Sequence, residues 1–390
     1  MGNVEPLETP ALIVCLPETA PADFVPLHDF VLLASIKETP SNIALKHPPS
    51  HIAMALLQIP LELRQNIFRC VVCSPTEAPS SPSASQKGRY QLLESLSGDR
   101  GIWQLPPENP AISLLLVNKQ VHIEVKDVLG HVPADYHVDI MFVKRYGLWT
   151  TWTIPRLPST QYIDSVHATF RLFDPTDDLE PRFRNSLNFE GGAGGPEPAL
   201  WAFYNLLIVL LCRGPGYFGP PRSSEPSRTN SQYVVKKIVV DILAPTDGAT
   251  HRSLVWSDKE CQGKPSRLHM YGRDLFDVEE SAPEKCLASY IINHLHDLID
   301  LTYHTMNYGM VLHESVAESI VVLVNGTECQ RYDMEEIVQG HQVLYWGETA
   351  DLIKDRKEHH RIWRIWLDER RLRMKHGLEL DNNCPVDEIM

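Results

Sequence analysis

The sequence predicts an α/β (or α+β) chain: a short N-terminal helical module, a two-layer α/β domain with a mainly parallel sheet, and a charged C-terminal helix. Three observations predict it. Segments with period-two alternation recur at "IDSVHATFRLF", "VKKIVVDIL" and "ESIVVLVNG". A stretch with apolar residues at helical spacing separates each from the next, and strand, helix, strand, helix, strand is the order that favours parallel pairing. The alternation itself puts one face of the sheet toward solvent, so the helices are expected to cover the other.

The elements follow in chain order. Residues 1–50 are rich in Pro, Glu and Thr, and their prolines deny a long helix, so an irregular arm is expected. In "MALLQIPLELRQNIFRCVV", Met54 to Val72, a helix is expected over about 60–72. Pro60 suits the first helical position, and Glu62 in the first turn complements the helix dipole. Leu63, Ile67 and Val71 fall at i, i+4 and i+8, widened by Phe68 and Val72, while Arg64, Gln65 and Arg69 fill the polar side. "SPTEAPSSPSASQKG", over 74–88, reads as a flexible Ser/Pro-rich loop. A second helix is expected from Ala111 to Leu129, ended by Gly130.

"YHVDIMFV" alternates as a strand, and in "IDSVHATFRLF" Val166, Ala168, Phe170 and Leu172 share one face. The longest apolar run, Ala199 to Cys212, has 14 residues, the length of a buried core helix and too short to span a bilayer. Ile238, Val240 and Ile242 then share a strand face, and "EKCLASYIINHLHDLIDLTYHT" makes a helix before the strand "ESIVVLVNG", which an Asn-Gly turn ends. These readings divide the chain into an arm (1–50), a helical module (51–130), an α/β domain (131–346) and a basic amphipathic helix with a tail (347–390). Between Lys354 and Lys375 the last helix carries nine Lys or Arg against four Asp or Glu, around Trp363 and Trp366. Two readings stand: it docks through its tryptophans, or it protrudes to bind an acidic partner, a membrane or nucleic acid.

The formal charge of −14 argues against attraction of the whole surface to nucleic acid or anionic lipid. The N-terminus lacks the positive region of a signal peptide, and eight scattered cysteines suit free thiols, so an intracellular, cytoplasmic or nuclear protein is expected. No membrane partner is expected, and nucleic acid is disfavoured. The Gly-rich "FEGGAGGPEPALW" lacks the Lys-Ser/Thr of a phosphate loop and reads as a turn. His296, Asp300 and His304 recur at four-residue steps, but they lie opposite the apolar face of their helix and read as a solvated row. Cys70 and Cys73 form a single Cys-x-x-Cys and read as buried structural thiols. With no hydrolase, metalloprotease or dinucleotide fingerprint, no catalytic, cofactor or metal-ligating residue is assigned, and an enzyme is not expected.

Two motifs carry a resemblance. "LLQIPLELRQNIF" is similar to the opening of an F-box, Leu-Pro-x-Glu-Leu with an apolar residue four further on. "LLVNKQVHIE", residues 115–124, resembles the Leu-Leu-x-Val-Asn-[Arg/Lys]-Gln-[Ile/Val]-x-x-Glu helix that follows, after an insertion, in a large class of fungal F-box-like proteins. Ile59 stands where the family usually has Leu, and no Trp follows in the second helix. The resemblance implies a protein-interaction protein that serves as substrate adaptor of a cullin–RING ubiquitin ligase. The helical module would bind the Skp-type linker protein, and the C-terminal region an unidentified target. Carried over by position, Ile59, Pro60, Glu62, Leu63 and Ile67 would form the first part of the linker contact, and Leu116, Val117 and Val121 the second. Two other readings keep the fold: a non-catalytic scaffold or self-associating protein with purely structural N-terminal helices, and a small-molecule enzyme with a dispersed site. For target capture the expected surface is the open sheet face with loops around 145–160 and 213–232, including the aromatic "RYGLWTTWTIPRLP".

Overall fold

A computed structural model of the chain describes residues 56–92, 101–184, 186–187, 198–215, 233–246, 282–301, 306–340, 350–381 and 384–385. The expected arm, most of the Gly-rich turn and of the 213–232 loop, His304 and the end of the tail lie outside the described residues. The chain divides after Pro60 into two units, Met1–Pro60 and Leu61–Met390. Of the first, the described part is a turn in which Ile59 N–H donates to the Leu56 carbonyl at 3.3 Å.

The second unit is α/β and is built on one eight-stranded mixed sheet. Its strands are β1 (Tyr90–Gln91), β2 (Ile102–Gln104), β3 (Asp135–Val143), β4 (Gly147–Thr153), β5 (Tyr162–Phe173), β6 (Val234–Leu243), β7 (Val316–Val324) and β8 (Thr327–Asp333), in the order β1-β2-β4-β3-β5-β6-β7-β8. The pairs β3–β5, β5–β6 and β6–β7 are parallel, as the strand–helix alternation predicts. So is β2–β4, whereas β1–β2, β3–β4 and β7–β8 are antiparallel. The helices are α1 (Leu61–Val72), α2 (Pro110–Leu115), α3 (Lys119–His131), α4 (Pro198–Arg213), α5 (Pro283–Ile299), α6 (Met306–Ser315), α7 (Met334–Gly340) and α8 (Ala350–Lys375). None among the described residues is long and apolar enough to cross a membrane.

The main core lies on one sheet face, where Val138, Trp152, Phe170, Ile238 and Ile320 meet Tyr204 and Leu210 of α4, Leu287 and Tyr290 of α5 and Leu312 of α6. The other face is open over only part of its extent. His137 is exposed, and His167, Thr169, Lys237 and Asp241 are half-buried. Toward the ends of β3 and β5 that face is closed by a second cluster of Trp103, Met141, Val143, Trp149, Phe173 and Phe183.

This closure corrects the expectation for 145–160. "GLWTTWT" is strand β4, buried at all seven positions between β2 and β3, so its tryptophans are core residues and not a capture loop. A tight turn makes the β3–β4 hairpin, with Arg145 at φ 62° and Gly147 at φ 109°. A side chain at Gly147 would run into the Gly101 carbonyl and the Trp103 ring.

The Ser/Pro-rich stretch is a loop with one 3-10 turn at Ser83–Ser85, but it is tied across the sheet. Thr76 bonds the end of β4, with its N–H 2.8 Å from Thr153 Oγ1. The Pro79 carbonyl accepts from Arg171, which also forms a two-pronged pair with Asp139 at 2.7 and 2.6 Å. Arg89 closes the strap. Its buried guanidinium donates to the carbonyls of Ser85, Trp103 and Thr150 and lies 5.1 Å from the Trp149 ring. Burial, only partly offset by Asp139, pushes its pKa down to about 9.

The basic helix α8 docks. Trp363 and Leu367 are fully buried with Leu301, Met310 and Val338, and Trp363 Nε1 donates to Glu314 Oε1 at 2.8 Å. Arg370 donates to the carbonyls of Glu314 and Asp381, and Arg371 to those of His313 near the end of α6 and of Val316 and Ala317 at the start of β7.

Candidate protein-docking site

α1 is held on α3 by an ion pair that joins the two sequence motifs. Arg64 Nε and Nη2 donate to the two carboxylate oxygens of Glu124 at 2.8 and 2.6 Å, and both side chains are about nine-tenths buried. Gln120 adds a third bond to Glu124 at 3.0 Å, and Gln65 reaches Asp127 at 2.9 Å. The hydrogen bonds to Arg64 hold the Glu124 carboxyl below its usual range and raise the Arg64 guanidinium above its own. Phe68 and Val72, one and two turns beyond Arg64, complete the buried face opposite Val121, Val125 and Val128 of α3.

Arg64, Phe68 and Val72 are therefore the inner side of α1, not Leu63, Ile67 and Val71. The expected division of this helix is corrected by one position: an arginine that reads as surface is buried because Glu124 waits for it. The apolar residues at Leu63, Ile67 and Val71 consequently point outward, 54%, 40% and 38% exposed. The same rotation turns Cys70 and Cys73 to the surface as free thiols, against the expectation of buried ones.

The second motif is also rearranged. The helix expected from Ala111 to Leu129 is two helices, broken at Leu116-Val117-Asn118. Asn109 and Asn118 cap α2 and α3, their side-chain oxygens accepting from Ala111 N–H and Val121 N–H at 3.0 and 2.9 Å. Gly130 lies inside α3, which runs to His131. The break lifts Leu116 and Val117 out of regular helix and leaves them 78% and 52% exposed.

Of the residues carried over from the resemblance, Glu62, Leu63, Ile67, Leu116 and Val117 lie on the surface of the second unit. Val121 does not: it lies on the buried side of α3 with Glu124, Val125 and Val128. Ile59 and Pro60 belong to the first unit, half-buried and exposed respectively, and Pro60 precedes the first helical residue, Leu61. Residue-by-residue transfer missed Leu61 and Ile123, which are 43% and 68% exposed, because neither holds a motif position.

No family model, curated protein or solved structure matches the chain.

The other sequence candidates carry less. His296 and Asp300 pair on the solvent side of α5 at 3.2 Å. On the open sheet face the rings of His137 and His167 stack with centroids 5.0 Å apart, and burial and the neighbouring imidazole push the His167 pKa down. Among the described residues no group of three or more His, Cys, Asp or Glu is arranged to hold a metal.

Proposed function

We propose that α1 and the α2–α3 junction form an F-box-like docking surface for a Skp-type linker protein, and that the chain is a protein-interaction protein acting as substrate adaptor of a cullin–RING ubiquitin ligase. The observation that carries this reading is the orientation of α1. Arg64 and Phe68 fasten one face inward, so the adjoining apolar flank of Leu63, Ile67 and Val71 is presented to solvent. A lone exposed leucine is ordinary, but a row at i, i+4 and i+8 is the pattern by which one helix engages another protein. Leu116 and Val117 add apolar surface from the α2–α3 junction, and α1 touches both α2 and α3. On this reading the polar sheet face around His137, His167 and Lys237 serves the target.

The test is titration calorimetry of the full chain with a purified Skp-type linker protein. A complex with Kd at or below about 10 µM is expected, corresponding to roughly −7 kcal/mol. The double variant Leu63→Asp/Ile67→Asp is expected to abolish it while the melting temperature stays close to that of the parent. If the unaltered chain gives no heat at that concentration, the adaptor reading fails.

A further inference from the structure

We infer that the crevice enclosed by α4, α5 and the sheet is a binding site for a small, neutral, apolar molecule of about the size of benzene or toluene. The crevice has a volume of about 120 Å³, large for a protein interior, where voids bigger than a water molecule are few. Its cause is in the strands. Val138, Ala168 and Val240 pair in register across β3, β5 and β6, and all three line the crevice. The rows on either side carry bulkier residues, Ile140–Phe170–Ile242 and Tyr136–Val166–Ile238. The middle row is thus a trough in the sheet floor.

The walls do not drop to fill it. Phe203 and Leu207 of α4 and Ile291 and Leu295 of α5 line the crevice but are only half-buried, so the opening lies between these two helices. The lining is almost wholly apolar. It includes the polar side-chain atoms of Tyr204, Tyr290 and His294, the last packed edge-on to Tyr290 at 4.4 Å. Such a cavity stays dry when lined by aliphatic and aromatic groups, and one of about 150 Å³ takes benzene or xenon. The lining offers few polar groups to hold an ordered water, and an entering molecule gains dispersion contacts with the walls. With no lysine, arginine or carboxylate among the described lining residues, a neutral ligand is favoured over a charged one.

Toluene is the probe, and the full chain is the protein. Saturating toluene is expected to raise the melting temperature. In Ala168→Leu, which fills the trough, the rise is expected to vanish, with at least tenfold weaker toluene affinity by NMR titration. Val240→Phe makes the same comparison from the neighbouring strand if Ala168→Leu does not fold. No rise with the unaltered chain, or an equal rise in the filled variants, overturns the proposal.

Discussion

The two amphipathic helices α1 and α8 solve the same problem differently. Each buries arginine and leaves apolar residues outside: Leu63, Ile67 and Val71 on α1, Ile365 and Leu372 on α8. Arg64 of α1 meets a carboxylate, whereas Arg370 and Arg371 of α8 meet backbone carbonyls, and burial lowers the pKa of both. Two tryptophans and a leucine anchor α8, Trp363 and Leu367 fully and Trp366 in part, while α1 relies on Phe68 and Val72. The difference teaches that a strongly basic helix can be anchored in the core, while a helix of net charge +1 leaves an apolar row on the surface. The partner of the arginine separates them, because a carboxylate titrates and a carbonyl does not.

The largest expected effect is on α8. Trp363→Ala removes a fully buried indole and should cost about 3–5 kcal/mol in urea unfolding. Phe68→Ala should cost about 3 kcal/mol, near the lower end of that range because α1 lies at the surface and can settle. Arg371→Met keeps the stem but leaves three carbonyls without their donor, with an expected loss of about 2 kcal/mol in the same assay.

The fourth prediction sharpens the contrast through pH. The Glu124 carboxyl titrates lower in the folded chain than in the unfolded one. Its pairing with Arg64 is therefore complete above the ordinary carboxylate value near 4.3, and is lost as pH falls through the lower folded value. Hydrogen exchange in α1 should accelerate in that acid window, and Glu124→Gln should flatten the dependence in α1 while leaving exchange in α8 as in the parent. The smallest effect is Leu63→Asp, expected to shift stability by no more than about 0.5 kcal/mol, as for a surface position.

What could be read from the sequence follows from how many faces an element shows to water. β5 and β6 alternate because one of their faces is polar, and they were legible. β4 is buried on both faces and shows no alternation, so its tryptophans resembled a loop's binding residues. β2 has three residues and β8 is a polar edge strand, too short and too hydrophilic for a periodic signal. The interruption between α2 and α3 was hidden because helical spacing continues across it; Asn118, a strong N-cap residue, was the available sign.

The candidate site was legible as motifs but not as an orientation. On α1 both Leu63/Ile67/Val71 and Arg64/Phe68/Val72 recur at four-residue steps. Only the approach of Glu124, sixty residues further along, decides which set faces inward.

Arg89 has a consequence for anyone wishing to transplant the N-terminal helices. Its guanidinium draws on Ser85 and Trp103, which would travel with such a graft, and on Thr150, which would stay behind in β4. Excising residues 61–131 would part the Arg89 cation from the Thr150 carbonyl and β2 from β4. Protein engineering on this scaffold should therefore cut before Leu61 and leave everything from α1 to the sheet in one piece.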